Sequence, residues 1–177
     1  MVRSLAASLA LVVLSGLSAP TFAADKDEAF FQTVFGRWVG PGEIVAGKYK
    51  GTKFVCDLSG AKPSQDVGMS LDGTCRVGMF SQPMTATFVK GGSSYKGSFL
   101  DGSSGKGLDI VSGNVSNDKI TVGLDRKQLK GAMVARLDGK SKDKLLITIS
   151  VQVANELVPV IGMQLKRDET VKRASID

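Results

Sequence analysis

Two periods divide the chain. Between residues 25 and 35, in DKDEAFFQTVF, the side chains Phe30, Phe31, Val34 and Phe35 fall at helical spacing and form one apolar face. The spacing predicts a short helix, capped by Asp25 or Asp27 and ended by Gly36. Beyond Gly36 the apolar residues recur at every second position. In VGMSLDGTCRVGM, Val67, Met69, Leu71, Cys75, Val77 and Met79 face one way, and Ser70, Asp72, Thr74 and Arg76 the other. Phe54, Cys56 and Leu58 alternate in the same manner, as do Met84, Ala86 and Phe88, then Ile120, Val122 and Leu124. Leu129, Met133, Ala135 and Leu137 follow, and the row from Leu145 to Val153 is the last long run. Strict alternation marks half-buried antiparallel strands.

Turn chemistry punctuates these runs at KGGSS, DGSSGKG, SND and DGKSKD. About ten strands result, near 37–45, 51–58, 66–77, 83–90, 94–100, 107–115, 119–124, 128–137, 144–153 and 158–166. A meander of that length has two edges to hide, and closing into a barrel removes both. Glycines inside strands, Gly40, Gly42, Gly73, Gly97 and Gly131 among them, suit the bends that closure requires. The fold class expected is all-β, an antiparallel up-and-down β-barrel of about ten strands after a short N-terminal helix. A two-sheet sandwich is the alternative, and it calls for longer crossovers than the chain offers.

The ends refine this picture. Residues 1–23 read as a secretory signal: Arg3 forms a positive start, Leu5 to Leu17 an apolar stretch, and Thr21-x-Ala23 a small-residue cleavage site. That apolar stretch is shorter than the roughly 20 residues of a bilayer span. Position 17 is Leu, so no lipobox cysteine is available for acylation. Residues 24–177 are then one domain, expected in the periplasm or secreted. Cys56 and Cys75 fit one structural disulfide in such a compartment. The balance of 23 basic and 17 acidic residues is a modest excess of scattered lysines. It favours weak contact with an anionic envelope surface, and it forms no basic stripe for nucleic acid.

The chain contains no histidine, which removes a Ser-His-Asp or Cys-His arrangement and the commonest zinc ligand. Glu43, Asp57, Asp72 and Asp109 alternate with apolar neighbours and are expected to face solvent; Glu43 is the least implausible catalytic acid. GSSGKG at 102–107 departs from the phosphate-loop spacing and precedes a strand rather than a helix. No catalytic constellation or cofactor emerges, so an enzyme is not expected.

The single tryptophan lies in Gly36-Arg37-Trp38, after the helix and at the start of the first strand. This resembles the G-x-W motif of lipocalins and the opening of the nitrobindin-like and fatty-acid-binding-protein-like barrels, grouped together as calycins. The resemblance implies a Trp that closes the barrel floor with a basic residue of the last strand across it. Arg167 shares the parity of Ile161, Met163 and Leu165 and is the residue for that role. The heme function of nitrobindins does not carry over, for want of a histidine.

Met69, Met79, Met84, Met133 and Met163 all fall on inward rows, beside the small Ala86, Gly97, Gly131 and Ala135. Methionine suits adaptable apolar surfaces. The expectation is a barrel that binds a small hydrophobic or lipid-like ligand, non-covalently, through Met69, Leu71, Met84, Phe88, Phe99, Met133 and Ile149, with Lys106 meeting an acidic head. The rival is a filled barrel, a non-enzymatic envelope protein acting through its surface, for instance around Val111 and Val134.

Overall fold

The computed structural model describes residues 21–63, 67–100, 108–127 and 129–169. One helix, α1 (Thr21–Val34), precedes ten strands: β1 (Gly36–Ile44), β2 (Lys53–Ala61), β3 (Gly68–Val77), β4 (Phe80–Gly91), β5 (Ser94–Leu100), β6 (Leu108–Ser116), β7 (Lys119–Arg126), β8 (Leu129–Asp138), β9 (Lys144–Val153) and β10 (Glu156–Arg167). Each strand pairs antiparallel with its neighbours in the chain, and β1 pairs with β10 to close the barrel. The alternation read in the sequence is the inside and outside of that barrel: Ile120, Val122 and Leu124 are buried on β7, and Leu145, Ile147 and Ile149 on β9. No polar side chain is fully buried among the described residues, so the interior is held by apolar packing.

Closure brings neighbouring backbones together where inward glycines stand. A Cβ on Gly97 would sit 1.7 Å from the Thr87 carbonyl oxygen on β4, so only glycine allows that approach. Two register shifts help the barrel curve, one in β10 between Pro159 and Ile161 and one in β6 between Ile110 and Ser112. Cys56 on β2 and Cys75 on β3 are directly paired across the ladder and joined as a disulfide.

Two expectations are corrected. The helix starts at Thr21, upstream of Asp25 and Asp27, and Asp27 lies within it. That carboxylate accepts hydrogen bonds from Lys90 Nζ at 2.9 Å and Tyr95 Oη at 2.7 Å, so it anchors the helix to the barrel instead of capping it. Met79 does not face inward: it is 96% exposed at the β3–β4 turn, and Val77 beside it is also exposed. The hairpin runs on past the last layer that closes over the interior, so inward parity there points into solvent.

Candidate functional site

The meander puts alternate turns at opposite ends of the barrel. One end receives α1, whose Phe30, Phe31 and Val34 are buried against the barrel. Fully burying such a side chain stabilises by about 1.5–3 kcal/mol. Phe31 meets Tyr95 edge to face, with ring centroids 5.5 Å apart. Trp38 is wholly buried beneath the helix, and its indole Nε1–H donates to the Val34 carbonyl at 2.7 Å. Arg167, directly opposite Trp38 across β1 and β10, lies over its ring at 4.2 Å. The same guanidinium donates to the carbonyls of Phe35, at 2.7 Å, and of Thr33. It thereby caps the helix C-terminus, where carbonyl groups lack partners and the dipole favours a cation. Burial pushes its pKa down from the ordinary arginine value.

Ion pairs on the outer wall at this end tie β1 to β2 and to the residue after β10. Arg37 grips Asp57 through Nε at 2.8 Å and Nη2 at 2.6 Å, and reaches Asp168 through Nη1 at 2.9 Å. Its hydrogen bond holds Asp57 below the usual carboxylate range. Asp57 stands on the outward row as expected, its side chain 45% exposed and paired with Arg37; Asp72 and Asp109 are exposed. Tyr95, which no sequence motif marks, shares the inward parity of Gly97 and Phe99 and is buried. Its phenol is pushed up by burial first, and then by the hydrogen bond and charge of Asp27.

Inside the barrel, Met69, Leu71, Met84, Phe88, Phe99 and Met133 converge on one apolar cavity, together with Met163. Ile149 is buried in the same core but does not line it. The cavity measures about 30 Å³. A water needs roughly 10–15 Å³ by this measure, whereas pockets for drug-sized ligands run to about 300–1,000 Å³. In this conformation the interior is filled by its own side chains.

The opposite end carries the turns β1–β2, β3–β4, β5–β6, β7–β8 and β9–β10. Lys106 and the GSSGKG stretch fall in 101–107, outside the described residues. Every exposed large apolar side chain among the described residues belongs to this half of the barrel. Met79 and Phe80 are 96% and 82% exposed at the β3–β4 turn, and Tyr49 is 63% exposed at the β1–β2 turn. Leu129, Val153 and Leu157 extend the ring through the next two hairpins. Val111 stands at the β6 irregularity, 53% exposed, while Val134 is only half-buried. Glu43, on the outer face of β1, sits between Lys53 and Gly162 of its neighbouring strands.

The barrel wall itself is not built to face lipid. Its outward rows hold Asp72, Thr74 and Arg76 on β3 and Lys130, Ala132, Val134 and Arg136 on β8, while the mainly apolar rows point in. A membrane-spanning barrel has the reverse pattern. No helix among the described residues is long and apolar enough to cross a membrane.

The closed ten-strand barrel with its preceding helix fits a calycin-like fold. Comparison with known proteins finds no matching family model and no significant match among curated proteins.

Proposed function

We propose that this protein is a non-enzymatic barrel of the exported compartment that acts through its surface, with the hairpin rim as its working edge. The observation that carries this reading is the contrast between the two sites: an interior with about 30 Å³ of free space and a rim where Met79 is 96% exposed. Met79 and Phe80, adjacent and 96% and 82% exposed, are large apolar side chains left in water, the kind of surface that marks an interaction site. The Cys56–Cys75 disulfide suits an oxidising compartment, in keeping with the secretory reading of residues 1–23. The calycin resemblance supplies the scaffold, and the helix plug with Arg167 and Trp38 keeps it rigid.

The predominantly apolar, methionine-rich lining supports a second reading, in which a small hydrophobic or lipid-like ligand enters when Met69, Met84 and Met133 change rotamer. Native mass spectrometry on protein purified from the cells that export it, followed by organic extraction, separates the two. The filled barrel predicts a bare polypeptide with one disulfide. A reproducible, extractable apolar adduct overturns it in favour of the ligand-binding barrel.

A further inference from the structure

The rim has a charge pattern as well as an apolar one. Lys48 and Lys50 flank Tyr49, Arg76 precedes Val77, and Arg126, Lys127 and Lys130 surround Leu129. With Lys53, that end shows seven basic side chains against Glu43, Asp109, Asp125 and Glu156 among the described residues. The five salt bridges among the described residues all lie toward the helix end: Arg37 with Asp57 and Asp168, Lys62 with Glu28, Lys90 with Asp27, and Lys142 with Asp118. At that end Arg37, Lys62, Lys90 and Lys142 thus pair with the protein's own carboxylates, whereas Lys119, Lys140, Lys144 and Lys166 make no salt bridge among the described residues. The seven at the rim likewise make no salt bridge among the described residues.

Shape narrows the partner further. Ten strands about 4.8 Å apart, tilted as barrels require, make a ring roughly 20 Å across. Around that ring the β1–β2, β3–β4 and β7–β8 tips carry exposed apolar side chains with cations beside them, and the β9–β10 tip carries Val153 and Leu157. Such a crown suits a flat surface that is apolar within and anionic at its face. Apolar tips beneath headgroups and basic side chains against phosphates are the two terms of interfacial membrane binding. We propose that the hairpin end docks on the surface of an anionic lipid bilayer. Met79 and Phe80 insert below the headgroups, Tyr49 and Leu157 lie at their level, and Lys48, Lys50, Arg126 and Lys127 contact the phosphates. This rests on the rim being the working edge, and it names what that edge meets.

The test is partition of the purified protein onto vesicles of phosphatidylethanolamine with phosphatidylglycerol, compared with pure phosphatidylcholine. Binding is expected to the anionic vesicles only and to weaken with salt. The pair Met79→Ser/Phe80→Ser and the pair Lys48→Glu/Lys50→Glu should each lower partition about tenfold or more, with melting temperatures unchanged. Phe80→Trp should blue-shift in emission when anionic vesicles are added and be quenched by lipids brominated along the acyl chain. Absence of partition onto anionic vesicles overturns the membrane assignment. If crosslinking from position 80 then yields a stoichiometric protein complex, the rim remains the working edge with a protein as its partner. Partition that is indifferent to both pairs of substitutions overturns the membrane assignment and the rim together.

Discussion

Replacing Arg167 with methionine keeps much of the side-chain volume and removes the charge that ties the helix to the barrel floor. Three contacts are lost. The cation–π contact with Trp38, at 4.2 Å, contributes about 0.5–2 kcal/mol. The hydrogen bonds to the Phe35 and Thr33 carbonyls have a charged donor, a type that contributes about 1.5–3 kcal/mol each. Against them stands the cost of holding a guanidinium partly out of water, which methionine does not incur and which already lowers the arginine pKa. The net loss expected is about 3 kcal/mol, or a fall in melting temperature of roughly 6–12 °C for a domain of this size. Arg167→Lys keeps the charge without the planar fork and should fall between the two. Thermal unfolding by circular dichroism measures the shift. Trp38 is the only tryptophan, so its emission reports the floor directly and should move to the red as the helix loosens. A variant that melts within about 2 °C of the parent, with Trp38 emission unchanged, would refute this account of the plug.

Other outcomes follow from particular contacts. Removing the disulfide with Cys56→Ala/Cys75→Ala should cost about 3 kcal/mol in denaturant unfolding, given a sequence separation of 19. Gly97→Ala places a Cβ 1.7 Å from the Thr87 carbonyl oxygen and should prevent folding or lose more than about 4 kcal/mol, read from soluble yield and denaturant midpoint. Met79→Ser/Phe80→Ser should change stability by less than about 0.5 kcal/mol, because both side chains are exposed. Tyr95 is raised in the folded state, so its neutral phenol stabilises fully below the unfolded tyrosine pKa of about 10, and that contribution is lost as pH climbs through the higher folded value. Stability measured from pH 8 upward should therefore fall more steeply in the parent than in Tyr95→Phe, and equal slopes would contradict the burial of that phenol.

Strand number and order were legible because alternation is a local property: each run from Phe54 to Leu165 carries its own inside and outside. The same parity put Arg167 on the inward side, opposite a tryptophan that needed a partner. It also marks Tyr95, two residues before Gly97, as inward, and Tyr95 is buried. Parity fails where the barrel stops. Val77 and Met79 continue the inward row of β3, yet nothing local marks the layer beyond which inward means exposed. The helix start is not legible locally for a related reason: Asp27 resembles a cap in sequence, and its partners Lys90 and Tyr95 are more than sixty positions away. Cavity size was illegible as well. It depends on how closely the strands coil at positions such as Gly97, which turns a row of methionines into packing with about 30 Å³ to spare.

The most direct test of a filled barrel that works through its rim is hydrogen–deuterium exchange with and without anionic vesicles. The account predicts slowed exchange in the hairpins around 45–52, 77–80 and 153–157, with no change at the helix end near Trp38 and Arg167. Protection confined to the helix end, or spread along the inner strands and absent from the hairpins, would contradict it.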